Sequence, residues 1–81
     1  MNNSFQTLQA LIENKIINAD DFYSITFGQW SVRLQGKYNS QLIQQLSRDY
    51  GVEFTIDGGF TVGTMTYQDE NGGSEVEFTF T

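Results

Sequence analysis

The fold is decided by residues 22–34, FYSITFGQWSVRL, where the spacing of the apolar residues changes from helical to alternating. Alternation with a period of two places every second side chain on the same face of a β-strand. Gly28-Gln29 lies at the centre, and glycine in the first position of a two-residue loop is typical of a type II′ turn. We therefore expect a β-hairpin that pairs Phe27 with Trp30. It would gather six apolar side chains on one face: Tyr23, Ile25, Phe27, Trp30, Val32 and Leu34.

Two stretches with helical spacing flank this hairpin. Residues 4–17 carry apolar residues at helical intervals, with Ser4 placed to cap the N-terminus. Residues 39–50 start at Asn39, another N-cap residue type, and end before Gly51, the residue type that favours the left-handed conformation closing a helix. The stripes predicted to face the core are Phe5, Leu8, Leu11, Ile12 and Ile16 in the first helix, and Leu42, Ile43, Leu46 and Tyr50 in the second.

Residues 52–80 predict three more strands in a meander. Asp57-Gly58-Gly59 is expected to form a three-residue loop, and Asn71-Gly72 a type I′ turn. The apolar alternation slips by one residue after Val62, which predicts a β-bulge at Gly63-Thr64. The expected cross-strand pairs are Ile56 with Phe60, Phe54 with Val62, Tyr67 with Val76, and Met65 with Phe78.

These elements predict one α+β domain over residues 1–81, in the order α-β-β-α-β-β-β, with both helices packed on one face of a five-stranded, mainly antiparallel sheet. The helical crossover favours the spatial strand order 2-1-3-4-5, with 1-2-3-4-5 as the alternative. Phe22 is a candidate contact residue, because the alternation that buries Tyr23 exposes it; the alternative is that the connection from the first helix covers it. The aromatic residues assigned to the core are Phe27, Trp30, Phe54, Phe60, Phe78 and Phe80.

The composition excludes several kinds of chemistry. The 81 residues include no Cys and no His, so thiolate nucleophiles, Cys/His zinc sites and histidine bases are absent. Glu75 and Glu77 would lie side by side on one strand, which is typical of a solvated strand face rather than of a glycosidase acid pair. We expect no enzyme activity, no cofactor and no metal.

Localisation signals are equally sparse. The longest apolar run, Ala10-Leu11-Ile12, is far shorter than the roughly 20 residues that a membrane-spanning helix needs. The first residues carry no Lys or Arg and lead into no apolar segment of the kind found in secretory signals. A cytoplasmic location is therefore expected.

The charge is strongly divided along the chain. Residues 1–48 hold three acidic and four basic residues, for a net charge of +1. Residues 49–81 hold seven acidic residues and no basic one, which brings the whole chain to −6. Such a field repels phosphate backbones and anionic lipids, so direct binding to nucleic acid or to membranes is disfavoured. A basic surface on another protein is the favoured partner.

The sheet face turned away from the helices is the candidate docking surface. Its predicted residues are hydroxyl-rich and acidic: Ser24, Thr26, Ser31, Arg33, Gln35, Glu53, Thr55, Thr61, Thr66, Gln68, Glu75, Glu77 and Thr79. The residues predicted to contact a partner are Glu53, Thr55, Thr66, Glu75, Glu77, Asp69, Glu70 and Phe22.

We therefore expect a non-catalytic binding or inhibitor module that docks through this acidic face. By analogy of size and charge alone, a phage or mobile-element accessory protein that blocks a host nucleic-acid-handling or defence enzyme is one instance. One alternative is a structural module that forms a homodimer through an edge strand or the open sheet face. Another is that threonine and glutamate merely keep an uncovered antiparallel sheet soluble.

Overall fold

The computed structural model describes residues 3–69 and 72–81, which form the expected α+β fold in the order α-β-β-α-β-β-β. Two helices pack with a five-stranded, mostly antiparallel sheet. The elements are α1 (Asn3–Glu13), a short 3₁₀ turn (Ala19–Asp21), β1 (Ser24–Phe27), β2 (Ser31–Gly36), α2 (Ser40–Tyr50), β3 (Glu53–Asp57), β4 (Phe60–Asp69) and β5 (Gly72–Phe80). Among the described residues, no helix has the length and apolar character needed to cross a membrane.

The spatial order of the strands is β1-β2-β5-β4-β3, so both expected orders are wrong. The last strand, β5, lies in the centre, parallel to β2 and antiparallel to β4. Its residues Val76, Phe78 and Phe80 are almost completely buried, and a central position covers them from both sides. Both expected orders placed β3 next to the first hairpin, whereas α2 carries the chain past two strands to the far edge and leaves β5 next to β2.

The core lies between the helices and one face of the sheet. Its aromatic part consists of four phenylalanine rings whose neighbouring centroids are 6.0 to 6.5 Å apart: Phe22, Phe54, Phe78 and Phe80. Burying one such side chain stabilises the folded state by about 1.5–3 kcal/mol. Aliphatic side chains complete the core, among them Leu8, Leu11, Val32, Leu34, Leu42, Leu46, Val52 and Val76.

The first helix is shorter than expected and starts earlier. Ser4 lies inside α1 rather than capping it, and its buried hydroxyl donates a hydrogen bond to the Gly28 carbonyl at 2.8 Å. The helix closes in a Schellman arrangement in which Lys15 has a left-handed φ of 58° and the Ile16 N–H donates to the Leu11 carbonyl at 2.9 Å. The buried face contains Ser4, Thr7, Leu8 and Leu11, which leaves Phe5 and Ile12 exposed against expectation.

The second helix confirms both predicted ends. The Asn39 side chain accepts a hydrogen bond from the Leu42 N–H at 3.1 Å, which satisfies a free donor of the first turn. Gly51 adopts a left-handed φ of 68°, and the Val52 N–H donates to the Leu46 carbonyl at 3.3 Å. Tyr50, expected in the buried stripe, is exposed in the last turn.

The β1–β2 hairpin has a longer loop than a two-residue turn. Phe27 pairs with Val32 instead of Trp30, and the Gly28 N–H donates to the Ser31 carbonyl at 2.8 Å across the loop 28–31. A shift of two residues preserves which face each strand residue occupies. It nevertheless removes Trp30 from the strand, and Trp30 is 53% exposed. The assignment of Trp30 to the core is therefore wrong.

Tyr23 and Phe27 are also exposed, so the expected six-residue apolar face of the hairpin forms only in part. The reason is the strand order. β1 has only four residues and lies at the edge of the sheet, whereas α1 packs on β2 and β5. Of the expected six, Val32 and Leu34 are fully buried, and Ile25 is half-buried against the core.

The β3–β4 hairpin shows that no bulge is needed. Asp57 pairs with Phe60 across a two-residue loop, and both Gly58 and Gly59 have positive φ, of 57° and 87°. Positive φ at both loop positions is the requirement of a type I′ turn. The pairing then continues without interruption through Phe54 with Gly63. The expected three-residue loop and the bulge at Gly63-Thr64 are both wrong.

This loop is one residue shorter than expected, and a one-residue shift exchanges the faces of a strand. On β4, Thr61, Gly63, Met65 and Tyr67 lie on the face that carries the helices, because they pair with core-facing residues of β3 or β5. Phe60 and Val62 lie on the opposite face, so Phe60 is not a core residue.

The β4–β5 hairpin is shifted by two residues from the expected register. Met65 pairs with Val76, and Tyr67 with Ser74, so the expected partners are wrong while the faces are kept. Asn71, the first residue of the expected type I′ turn, lies outside the described residues. The ladder ends at the pair Asp69–Gly72.

Candidate protein-docking face

The outer face is the face of the sheet opposite to α1 and α2. On β5, the buried residues Val76, Phe78 and Phe80 alternate with residues that belong to this face. Residues paired across neighbouring strands share a face, so the register assigns the other strands. The outer face contains Ser24, Thr26, Ser31, Arg33, Gln35, Glu53, Thr55, Asp57, Phe60, Val62, Thr64, Thr66, Gln68, Glu75, Glu77 and Thr79.

The three predicted carboxylates of this face are neighbours. Glu53 pairs with Thr64, Thr64 with Glu77, and Glu77 with Arg33, which forms one row across four strands. Strand spacing places the backbones of Glu53 and Glu77 about 10 Å apart, and those of Glu75 and Glu77 about 7 Å apart. The face therefore presents a compact acidic triangle bordered by hydroxyl groups.

One of the three carboxylates is already engaged. The Nε of Arg33 lies 3.2 Å from Oε1 of Glu77 in an ion pair, and both side chains remain partly exposed. An exposed pair of this kind contributes at most about 1 kcal/mol to stability. The pair matters more for the charge of the outer face, because Arg33 compensates the negative charge of Glu77. Of these three, Glu53 and Glu75 are the carboxylates most available to a partner.

The basic residues lie mostly elsewhere. Lys15 closes α1, Lys37 follows β2, and Arg48 lies in the last turn of α2. The Nε of Arg48 donates to Oδ1 of the neighbouring Asp49 at 3.0 Å, and this hydrogen bond raises the pKa of Arg48 above its usual value. Within the described part of the chain, Arg33 is thus the one basic residue of the outer face.

The structure places most of the predicted contact residues together. Glu53, Thr55, Thr66 and Glu75 are exposed on the outer face, and Glu77 is half-buried there. Asp69 ends β4, but its side chain lies outside the described part, as does the whole of Glu70.

Phe22 does not belong to this surface. It is only 9% exposed, and its ring lies 6.2 Å from that of Phe78 and 6.0 Å from that of Phe80, centroid to centroid. The expectation of an exposed Phe22 extended the strand alternation one residue too far. Phe22 instead closes the 3₁₀ turn, where its N–H donates to the Ala19 carbonyl at 3.1 Å, and the turn directs the ring into the core.

Two apolar residues of the outer face were not predicted from the sequence. Val62 lies between Thr55 and Thr79, and Phe60 pairs with Asp57 at the end of β3. The signal for both was Gly58-Gly59, since a two-residue loop at these glycines moves Phe60 and Val62 to this face. The outer face therefore offers an apolar strip beside its acidic residues.

Apart from Arg33, the polar groups of the outer face are carboxylates, hydroxyl groups and amides. In the described residues, no group of three or more His, Cys, Asp or Glu side chains lies close enough to hold a metal ion. Carboxylates and hydroxyl groups on a sheet face accept hydrogen bonds from cationic donors. No protein-family model matches the chain, and no curated protein or solved structure is significantly similar to it.

Proposed function

We propose that this protein is a non-catalytic protein-binding module whose outer face docks on a basic surface of a partner protein. The observation that carries the proposal is the exposure of Glu53 and Glu75 on a sheet face where the one basic side chain, among the residues described, is engaged by Glu77. Unpaired carboxylates on such a face attract a cationic partner at long range and select against acidic ones.

The remaining composition of the face supports docking at short range. Thr55, Thr64 and Thr66 are exposed and supply hydroxyl groups for hydrogen bonds. Val62 and the partly exposed Phe60 supply apolar area, which a charged surface alone would lack. Protein interfaces commonly combine an apolar centre with a polar rim.

The class of partner follows from the charge. An enzyme that handles nucleic acids carries a basic groove, and an acidic module seated on it would act as an inhibitor. A phage or mobile-element protein directed against a host enzyme of this kind, including a defence enzyme, is the specific form of the proposal.

The test compares two double variants with the same net charge. Glu53→Lys with Glu75→Lys changes the outer face, and Asp20→Lys with Asp21→Lys changes exposed acidic residues outside that face; each changes the formal charge from −6 to −2. The wild-type protein and both variants are used as bait in cell lysate, and captured proteins are identified by mass spectrometry at low and high salt.

We expect a partner that the wild-type protein and the Asp20/Asp21 variant retain, that the Glu53/Glu75 variant loses, and that high salt releases. Equal capture by both double variants would contradict docking through the outer face. Circular dichroism of the three proteins verifies that the fold is unchanged.

The alternative of self-assembly through an edge strand meets an electrostatic obstacle at β3. Antiparallel pairing of two β3 strands about Thr55 would place Glu53 of one copy opposite Asp57 of the other. Like charges directly opposed destabilise a strand pair. A dimer that strengthens with added salt in sedimentation velocity would favour this alternative over docking on a basic partner.

A further inference from the structure

Three exposed aromatic side chains lie in or next to the loop 28–31, which joins β1 to β2. We name Phe5, Phe27 and Trp30 the aromatic patch; each is at least 40% exposed. The rings of Phe5 and Phe27 lie 5.8 Å apart, centroid to centroid. The hydrogen bond from the Ser4 hydroxyl to the Gly28 carbonyl ties the start of α1 to the same loop. The hydrogen bond and the ring contact therefore both hold α1 against the β1–β2 hairpin.

The patch continues as a groove along α1. Phe5, Leu8, Gln9 and Ile12 line a shallow cavity of about 250 Å³. The Gln9 side chain donates to the Glu13 carboxylate at 3.2 Å, so an acidic group stands next to this groove. Exposed apolar area next to acidic side chains fits a segment that is both apolar and basic.

The loop 28–31 is also tied to the sheet. The Glu75 N–H donates to the Trp30 carbonyl at 2.9 Å, which brings the backbone of an outer-face residue against the loop 28–31. None of the four basic residues of the chain lines the groove. The loop that carries Trp30 and the strand that carries Glu75 are thus hydrogen-bonded neighbours.

We propose that the aromatic patch anchors the partner, and that it takes a segment in which arginine alternates with apolar side chains. This inference rests on the proposed function and names the part of the partner that is held most tightly. Arginine stacks on aromatic rings and bonds carboxylates with two parallel donors, whereas lysine offers only a point charge. Tryptophan and arginine are also among the residues that contribute most to the binding energy of protein interfaces.

The test uses short synthetic peptides as probes. An arginine–leucine peptide is titrated into the ¹⁵N-labelled protein, with an arginine–serine peptide of equal charge and a glutamate–leucine peptide of equal apolar content as controls. Fluorescence of the single tryptophan gives the affinity, and amide chemical shifts locate the contact. Trp30→Ala and Phe5→Ala remove the anchor. Tyr38→Ala, which truncates an equally exposed aromatic residue outside the patch, is the matched control.

We expect the arginine–leucine peptide to bind at least about tenfold more tightly than either control peptide, with the largest shifts around residues 28–31 and Glu75. Trp30→Ala should weaken this binding about tenfold, measured from the shifts, and Tyr38→Ala should leave it unchanged. Equal affinity for both arginine peptides, with shifts confined to Glu53 and Glu77, would overturn the anchor and leave the proposed function standing. Absence of saturable binding by the arginine–leucine peptide would also overturn the anchor. Failure of the proposed function is detected by a different experiment, as equal capture of the partner by the two double variants.

Discussion

Replacement of Gly63 by alanine tests the register of β4, on which the assignment of the two sheet faces depends. Gly63 is buried on the helix-bearing face, between its partners Phe54 and Phe78. A Cβ atom built at Gly63 would lie 2.6 and 2.7 Å from ring carbons Cδ1 and Cε1 of Phe54, and 2.8 Å from Cγ1 of Val52. Atoms in ordinary contact are about 3.5–4.0 Å apart.

The alanine methyl must therefore displace the Phe54 ring, which also packs against Phe78 and Phe80. Overpacking of this kind costs about 1–3 kcal/mol, which exceeds the gain of about 0.4–1 kcal/mol from replacing glycine where no strain results. We expect Gly63→Ala to be destabilised by about 1–2 kcal/mol, which lowers the melting temperature of a domain this size by roughly 10 °C.

Urea unfolding followed by circular dichroism measures the effect. Thr64→Val is the matched control on the exposed side of the same strand, and we expect a change within about 0.5 kcal/mol. In a Phe54→Leu background the cost of Gly63→Ala should shrink, because part of the clash is gone. A Gly63→Ala protein as stable as the wild type, or an equal cost in both backgrounds, would refute the packing of Phe54 over Gly63.

Three further substitutions test local parts of the fold in the same urea assay. Lys15→Gly should stabilise the protein by about 1 kcal/mol, since glycine adopts the left-handed φ of 58° without steric cost, and no gain would contradict the Schellman closure of α1. Phe22→Ala should cost about 3–5 kcal/mol, while Phe60→Ala on the outer face should cost far less; similar losses at both positions would show that Phe22 is not a core residue. Asn39→Ala should lower the free energy of unfolding by about 1 kcal/mol, whereas Asn39→Asp should keep it near the wild-type value. An Asn39→Ala protein as stable as the wild type would contradict a stabilising role of the hydrogen bond to the Leu42 N–H.

The parts of the fold that were predictable from sequence are those decided by local chemistry. Both ends of α2 follow from single residues, Asn39 and Gly51, whose conformations depend little on the rest of the chain. The residues of β5 that face the core were equally clear, because no glycine interrupts the alternation of polar and apolar residues between Glu75 and Phe80. The carboxylates Glu75 and Glu77 were therefore assigned to the correct face.

The parts that failed depend on loop length or on distant partners. Gly58-Gly59 is compatible with loops of two or three residues, and the choice between them decides which face Phe60 occupies. The exposure of Phe27 follows from the edge position of β1, which in turn depends on β5 pairing with β2. The central place of β5 could not be deduced locally, because it involves residues more than forty positions apart. The aromatic patch was missed for the same reason.

Zero-length carbodiimide cross-linking to the captured partner is the most direct test of docking through the outer face. The reagent joins carboxylates to lysine amines in contact, and mass spectrometry identifies the linked residues. We predict links from Glu53 and Glu75 to lysines of the partner, suppressed by high salt. Links that arise instead from Asp20 or Asp21, with none from the outer face, would contradict the account.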